Sequence, residues 1–242
     1  MVNRVRVAFS VKFFEKGFKQ RWGLKDYNVS EPCVFLGCYS NADVEAILKH
    51  KPKKIVMLLG GDLGNLSKLQ HDRSITFASD KQAILNIYAG AGVRYINQVI
   101  PLKSFDEFTP APKGDKIYCY VNTGSESHLR KHGIAAIPEV IKHFGKDRFI
   151  FGTHGLTTKQ VIQNYYNPAF VNLQLNQFAG FTSSIEMAYM GRKTISNTPA
   201  PFTIPFNSDN DIIISIENEF KTPVEQNLIN NYLCNNSDWL NL

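Results

Sequence analysis

The sequence lacks long apolar runs and blocks of like charge. No stretch approaches the roughly 18 consecutive apolar residues of a membrane-spanning helix, so we expect no membrane span. The apolar part of the opening MVNRVRVAFSV is too short and too rich in β-branched residues to predict a signal peptide. Lys and Arg are scattered, without a basic stripe interleaved with aromatic residues, so we expect no nucleic-acid partner.

Cysteine is scarce, and the usual cofactor motifs are missing. The four cysteines, Cys33, Cys38, Cys119 and Cys234, contain no CxxC pair, so we expect no metal site. The glycine pattern at residues 60–65 is neither a P-loop nor a dinucleotide fingerprint, so the motifs support neither ATP nor NAD as a cofactor. Few cysteines, read as small buried hydrophobes, fit a reducing compartment and favour a cytoplasmic location.

The remaining composition is that of an ordinary globular protein. Hydrophobic residues make up 43% of the 242 residues and charged residues 20%. This length allows one large domain or two small ones, each with its own core. The formal charge of +6 favours an anionic ligand.

The first half alternates strand-like and helix-like segments, which is typical of a parallel sheet with helices on its faces. The predicted strands are Val5–Val11, Cys33–Tyr39, Lys54–Leu59, Ile75–Ala78 and Val93–Ile100. The predicted helices are Asn41–His50 and Asp80–Gly90, the second with Ser79 and Asp80 as its cap. Residues 101–116, with three prolines, predict a linker.

The alternation restarts after this linker. The predicted strands are Lys116–Val121, Arg148–Phe151, Ala169–Leu175 and Lys193–Ser196, and the predicted helices are Ile134–Phe144, Thr157–Tyr165, Ser183–Met190 and Val224–Leu233. Asp211–Phe220 suits either a strand or a helix. We therefore predict an α/β protein with two Rossmann-like parallel-sheet domains facing a cleft. They comprise residues 1–105 and residues 115–242, the second with a closing C-terminal helix.

Polar loops follow three predicted strands of the second half, at residues 120–133, 151–155 and 179–196. In open parallel sheets, ligands bind at the carboxyl ends of the strands. In the third loop, Gly180 and three hydroxyl residues precede Glu186 at a predicted helix start. Such a start attracts phosphate, and the carboxylate can accept hydrogen bonds from a ribose. An ordinary capped helix is the alternative interpretation.

These loops carry a resemblance to a known family. The segments YVNTG…RKHGIAAIPEVIKHFG, RFIFGTHG and VNLQLNQFAGFTSSIEMAYMGRKTIS are similar to the nucleotide-sugar-binding domain of GT-B-type glycosyltransferases. The resemblance covers about residues 115 to 220, and the last segment is its most distinctive part. A faint similarity of the first half to glycosyltransferase domains of large DNA viruses of algae would place the protein in the host cytoplasm.

The resemblance implies transfer of a sugar from a nucleotide donor, with UDP as the first expectation, to a glycan hydroxyl acceptor. It implies that Thr182, Ser183 and Ser184 bind the diphosphate and that Glu186 binds the ribose. Arg130 and Lys131 would neutralise the leaving nucleotide, so no metal is expected. The full set of donor-binding residues is Asn122, Thr123, Gly124, Arg130, Lys131, Thr153, His154, Gly180, Thr182, Ser183, Ser184 and Glu186.

The stereochemistry follows from one departure from the family. Many retaining members carry an additional glutamate before the ribose-binding one, but the position eight residues before Glu186 is Phe178. The resemblance therefore favours an inverting transfer. A nucleotide-sugar 2-epimerase of the same fold and a non-catalytic nucleotide-sugar-binding module remain the alternative functions.

An inverting transfer needs a general base, which we expect in the first half. Asp62 follows a predicted strand and two glycines and is the first candidate, while a turn aspartate bonded to its own backbone is the alternative. Glu15 is the second candidate, and the further rivals are Asp26 and the pair His71 and Asp72.

Two further features complete the predicted sites. Trp22 and Tyr27 lie in an aromatic-rich loop and are candidates for stacking on an acceptor sugar, with core packing as the alternative. The segment SDND, residues 208–211, contains the D-x-D pattern of metal-dependent enzymes. It precedes an apolar run instead of following a strand, so we predict a surface turn.

Overall fold

The structure is a computed structural model that describes residues 1–120, 133–134, 137–152, 155–176, 181–229 and 231–241. The chain forms two compact units. Unit 1 contains Met1–Ser104 and Asn231–Leu242, and unit 2 contains Phe105–Asn230. The last residues therefore lie in unit 1, whereas the predicted second domain ran from residue 115 to residue 242.

Unit 1 is built on a six-stranded, all-parallel sheet with the order β2-β1-β3-β4-β5-β6. Its strands are β1 Arg4–Val7, β2 Lys25–Asp26, β3 Cys33–Leu36, β4 Lys54–Leu58, β5 Ile75–Ser79 and β6 Tyr95–Val99. Its helices are α1 Glu15–Trp22, α2 Asn41–Lys49, α3 Leu66–Leu69 and α4 Gln82–Gly90. The expected α/β class is therefore confirmed for this unit.

Strands β3, β4 and β5 are buried on both faces, as their continuous apolar runs predict. Val34 and Leu36 pack on one face with Phe18 and Trp22 of α1. On the opposite face, the ring of Phe77 in β5 lies 5.7 Å from that of Tyr88 in α4. Helices on both faces are consistent with a Rossmann-like domain.

The C-terminal segment completes the core of unit 1. Trp239 is 5% exposed, and its ring lies 5.1 Å from that of Trp22 in an edge-on arrangement. The backbone is also joined to the unit, because Cys234 N–H donates to Val99 O and Val2 N–H donates to Leu240 O. These hydrogen bonds and ring contacts explain why the segment belongs to unit 1.

Unit 2 contains a five-stranded, all-parallel sheet with the order β11-β10-β9-β7-β8. Its strands are β7 Lys116–Cys119, β8 Phe149–Phe151, β9 Ala169–Leu173, β10 Thr194–Ile195 and β11 Thr203–Ile204. Its described helices are α5 Pro138–Phe144, α6 Thr158–Val161, α7 Thr182–Tyr189 and α8 Asp209–Lys221. Helix α6 continues into a π-helical turn, Ile162–Tyr166. This unit is also α/β and consistent with a Rossmann-like domain.

The two faces of this second sheet differ in chemistry. One face carries an apolar cluster in which Ile117 and Val171 pack with Val140 of α5 and Ile216 of α8. On the other face, the buried Asn172 of β9 donates to Ser184 of α7. Polar groups of unit 2 are thus buried on the face that α7 covers.

Arg192 is a fully buried cation that binds only backbone carbonyls among its described partners. Its Nε donates to Ala169 O at 2.8 Å, and its two terminal nitrogens donate to Met190 O and Pro112 O, each at 2.7 Å. Burial lowers the pKa of Arg192 to about 10. The guanidinium therefore ties together the start of β9, the end of α7 and the segment that precedes β7.

Asp211–Phe220, which the sequence left open, is helical. Ser208 caps α8 by accepting a hydrogen bond from Asp211 N–H, and Asp211 Oδ2 accepts one in return from Ser208 N–H. This capping box satisfies backbone donors at the helix start. The D-x-D segment therefore serves as a helix cap in the structure.

Two predicted elements are wrong. The described residues of the predicted closing helix Val224–Leu233 form no helix, because α8 ends at Lys221 and Asn227 adopts a left-handed backbone with φ of 67°. A short 3₁₀ turn, Asp238–Leu240, is the last described helical element. The predicted strand Val5–Val11 stops at Val7, and the 3₁₀ segment Phe9–Phe14 follows.

Over the described ranges, no helix is long and apolar enough to cross a bilayer.

We expect Trp239→Ala to destabilise unit 1 by about 3–5 kcal/mol, the usual effect of truncating a buried Trp. The reason is the cavity left beside Trp22 and Phe18. Urea unfolding followed by circular dichroism measures the change. The exposed neighbour provides the control, since Asp238→Ala should alter stability by less than about 0.5 kcal/mol. Equal unfolding midpoints for Trp239→Ala and the wild type would contradict a core role for the segment.

Candidate functional site

The hydroxyl residues of the third polar loop lie inside the first turn of α7, not at its cap. The N-cap is Phe181, and no side chain provides a capping hydrogen bond. Phe181 is fully buried, and its ring stacks on that of Phe202 at 5.6 Å. Aromatic packing therefore fixes the helix start, which leaves Thr182, Ser183 and Ser184 free of a capping role.

Two of these hydroxyl residues have contrasting surroundings. Ser184 is fully buried, and its Oγ accepts a hydrogen bond of 3.0 Å from Asn172 Nδ2, which also donates to Thr194 Oγ1 at 3.1 Å. Ser183 is 5% exposed, and its Oγ has no hydrogen-bond partner within the part of the chain that the structure describes. A buried hydroxyl without a partner is uncommon in proteins and marks a place where a ligand can supply one.

Glu186 lies one turn further along α7 and is 6% exposed. Its Oε2 accepts a hydrogen bond from the hydroxyl of Tyr166, which stands at the end of the π-helical turn. Burial and then the charge of Glu186 raise the pKa values of Tyr166, Tyr118 and Tyr120. The charge of Glu186 therefore acts on three tyrosines, of which Tyr166 is its hydrogen-bond partner, and the sequence pattern did not predict this.

The second polar loop reaches the same cluster through Gly152. A Cβ at this position would lie 2.6 Å from the hydroxyl of Tyr118, so only glycine allows the close approach. Gly152 follows β8, and its N–H donates to Cys119 O at the end of β7. The structure thus brings β7, the loop after β8 and α7 together around Tyr118.

Most of the predicted donor-binding residues lie outside the described residues. They are Asn122, Thr123, Gly124, Arg130, Lys131, Thr153, His154 and Gly180. Phe178, on which the stereochemical prediction depends, also lies outside them. The described members of the predicted donor site are Thr182, Ser183, Ser184 and Glu186, and all four share helix α7.

In unit 1, Asp62 forms hydrogen bonds with the loop that follows β3 and with the loop that follows β4, at the carboxyl ends of these strands. Its Oδ1 accepts hydrogen bonds from the N–H groups of Leu59 at 2.8 Å and Gly60 at 3.0 Å, and its Oδ2 accepts one from Cys38 N–H at 3.0 Å. The side chain is 1% exposed. Burial raises the pKa of Asp62, against the opposing effect of these backbone donors. The contacts match the alternative of a backbone-bonded turn aspartate.

Asp80 and Lys81 are neighbouring buried ionisable residues that were not predicted as site residues. Asp80 follows β5 and is 3% exposed, and its Oδ1 has no partner within the described ranges. Burial raises the pKa of Asp80 to about 6, although the neighbouring Lys81 opposes this. Lys81 Nζ donates to Leu59 O at 2.7 Å, and burial lowers its pKa. A carboxylate two residues after the predicted strand Ile75–Ala78 was the available signal.

The other candidate bases have less suitable surroundings. Hydrogen bonds from Lys12 and Lys19 hold the pKa of Glu15 below its usual range, which weakens it as a base. Asp26 is exposed and forms an ion pair with Lys19. Asp72 pairs with Lys54 at 3.0 Å, at the start of β4 and so at the opposite edge of the sheet from Asp62. His71, beside Asp72 in the chain, shares this disadvantage.

Trp22 and Tyr27 both have partners inside unit 1. Trp22 is 7% exposed, and its Nε1 donates to Pro101 O at 2.9 Å, so the structure gives it the core-packing role instead of acceptor stacking. Tyr27 is half-buried, with its hydroxyl 3.3 Å from His50 Nδ1 and the Arg6 guanidinium 5.4 Å from its ring centroid.

Comparison with known proteins adds no further assignment. No protein-family model matches the chain, and no curated protein is similar enough to match it. Within the described residues, no group of three or more His, Cys, Asp and Glu side chains is arranged to hold a metal ion. The class that the structure establishes is an α/β protein with two all-parallel sheets.

We expect Asp62→Asn to lower the free energy of unfolding by about 1–3 kcal/mol, because one backbone N–H then faces an amide donor in place of a carboxylate. Urea unfolding measures this loss. Asn65→Ala is the matched control, since it removes the hydrogen bond to Cys38 O from the same loop without altering a carboxylate. If Asp62 were instead the general base, turnover would fall about 10²–10⁴-fold while stability stayed near that of the wild type.

We expect Asp80→Asn to change how stability depends on pH. A carboxyl with a raised folded-state pKa contributes stability below its unfolded pKa, and this contribution is lost as the pH rises toward about 6. The variant lacks this loss, so its free energy of unfolding relative to wild type should improve by roughly 2–2.5 kcal/mol between pH 4 and pH 7. Chemical denaturation across this range measures the difference.

Asp72→Asn provides the control of opposite sign. Although burial opposes it, hydrogen bonds from Ser74 and Lys54 lower the pKa of Asp72, so its contribution is present above the unfolded pKa and lost in acid. The stability of this variant relative to wild type should therefore worsen as the pH rises. If the difference in free energy of unfolding between Asp80→Asn and the wild type did not change between pH 4 and pH 7, Asp80 would ionise as freely in the folded protein as in the unfolded chain.

Proposed function

We propose that the protein is a nucleotide-sugar-dependent glycosyltransferase of the GT-B type that binds its donor in unit 2. The observation that carries this proposal is the first turn of α7. It buries Ser183 with an unpartnered Oγ among the described residues, and Glu186 follows on the same helix. The resemblance of residues 115–220 to the family's donor-binding domain supports the same assignment.

The chemistry of this helix start suits a diphosphate. The first backbone N–H groups of a helix have no partners within it, and the helix dipole favours a negative charge at this end. Hydroxyl groups add donors, and Ser183 has one to offer. In this proposal Arg130 and Lys131 supply the remaining positive charge, so the leaving nucleotide is neutralised without a metal ion.

The acceptor side is assigned to unit 1. An inverting transfer moves the acceptor's proton to a carboxylate while the acceptor oxygen attacks the anomeric carbon. Asp62 and Asp80 both lie at the carboxyl edge of the first sheet, where ligands of parallel sheets bind. Of the two, Asp80 keeps an oxygen without a described partner, whereas both oxygens of Asp62 accept backbone hydrogen bonds. The four free, buried cysteines support a reaction in the reducing cytoplasm.

Nucleotide binding to wild type and to Ser183→Ala tests the donor assignment. We expect UDP, GDP or dTDP to raise the thermal stability of the wild type, because a ligand specific to the folded state stabilises it. Ser183→Ala should weaken this binding by about 10–100-fold, the equivalent of one hydrogen bond to a charged group. Its stability without ligand should not fall, since the lost hydroxyl has no described partner.

Ser215→Ala is the matched control because Ser215 is a buried serine on α8 of the same unit. Its nucleotide affinity should equal that of the wild type. The sugar conjugate of the nucleotide that binds should act as donor to a glycan acceptor, and this transfer should persist in excess EDTA. NMR of the product should show the anomeric configuration opposite to that of the donor. Binding without transfer or donor hydrolysis would instead identify a binding module. Absence of all nucleotide binding would refute the proposed function.

A further inference from the structure

Tyr166 occupies an unusual backbone feature of unit 2. The chain from Thr158 to Val161 is α-helical, and it then widens into a π-helical turn that ends at Tyr166. Such turns occur frequently at functional sites because they displace a side chain from its regular helical position. Tyr166 is 2% exposed, so its whole side chain is enclosed by the protein.

The ring of Tyr166 is held from two directions. The ring of Tyr118 packs edge-on against it at 5.2 Å, and the ring of Phe108 lies 6.1 Å away. Tyr118 stands on β7, whereas Phe108 belongs to the segment that precedes this strand. With both neighbours in place, the hydroxyl of Tyr166 has little freedom to turn away from its partner.

That partner is Glu186 on α7. The Tyr166 hydroxyl donates to Glu186 Oε2, and the carboxylate is 6% exposed. Burying a carboxylate and a phenol together is expensive in free energy, and an apolar pair of similar volume would join the two elements at least as well. The hydrogen bond does something that an apolar pair cannot do, because it fixes the direction of the carboxylate.

We propose that Tyr166 is a positioning residue that orients Glu186 toward the ribose hydroxyls of the nucleotide donor. This inference rests on the proposed function and adds to it the residue that sets the geometry of ribose recognition. Glu186 itself contacts the ribose, and Tyr166 acts through it. Tyr166 therefore governs the preference for a ribose over a sugar without hydroxyl groups.

The test compares two ligands that differ only in those hydroxyls. Isothermal titration of wild type and Tyr166→Phe uses UDP and 2′,3′-dideoxy-UDP, and is repeated with the corresponding guanosine pair. We expect Tyr166→Phe to weaken binding of the ribose nucleotide by about 5–20-fold, as for one misdirected charge-assisted hydrogen bond. Binding of the dideoxy nucleotide should stay within about twofold, since the lost orientation does not concern it.

Tyr88→Phe is the matched control. Tyr88 is fully buried in unit 1, and its hydroxyl also has a protein partner, Ala78 O at 3.3 Å. This variant should bind both nucleotides as the wild type does. If Tyr166→Phe does not fold, Tyr118→Phe provides a second variant, because it removes the hydroxyl that interacts with Tyr166. It should also weaken binding of the ribose nucleotide selectively, but by a smaller factor.

The outcomes separate this inference from the proposed function. If Tyr166→Phe weakened the binding of both nucleotides equally, Tyr166 would have a purely structural role. This result would overturn the inference but not the proposed function, because the wild type would still bind the nucleotide. A wild type that binds ribose and dideoxy nucleotides equally would also overturn it, because Glu186 would then have no role at the ribose. A wild type that binds no nucleotide would refute the inference and the proposed function together.

Discussion

All strand pairs in the two sheets are parallel, and this constraint decides where the remaining features lie. A parallel strand can be continued only through a crossover that carries the chain back to the amino edge of the sheet. Every loop that leaves a strand therefore emerges at one edge. In unit 1 that edge holds Asp62 and Asp80, and in unit 2 it holds Gly152.

The buried polar side chains fall into two groups, those that bind backbone groups and those that keep an oxygen without a described partner. Arg192 and Asp62 bind backbone groups only among their described contacts, so they hold elements together. Ser183 and Asp80 each keep a buried oxygen without a partner in the described ranges. An unsatisfied buried oxygen lowers stability unless a ligand or a water molecule supplies the missing partner.

The regular elements were largely predictable because local pattern decides them. Strands such as Lys54–Leu58 and Ala169–Leu173 follow from β-branched, apolar runs buried on both faces. Asp211–Phe220 required the capping box of Ser208 to be recognised as a helix start. The return of the C-terminal segment was not predictable, because the contact of Trp239 with Trp22 depends on residues distant in sequence.

The helix start at the candidate site was predictable, but its contacts were not. Hydroxyl residues before Glu186 indicated a helix start, and the structure has one at Thr182. The hydrogen-bond partner of Glu186 is Tyr166, and the ring of Tyr118 packs against Tyr166. Both tyrosines lie on other elements and carry no local signal. Similarly, its place after a predicted strand and two glycines made Asp62 the first candidate base, whereas the folded loop turns both of its oxygens toward backbone N–H groups.

The return of residues 231–241 to unit 1 has a consequence for synthesis on the ribosome. Unit 2 is one continuous stretch of chain and can complete its core as soon as residue 230 has emerged. Unit 1 must wait until Trp239 emerges, after the whole of unit 2. We therefore expect the usual order, in which the N-terminal domain folds first, to be reversed. Until then, the apolar surface around Phe18 and Trp22 is open to chaperones in the nascent chain.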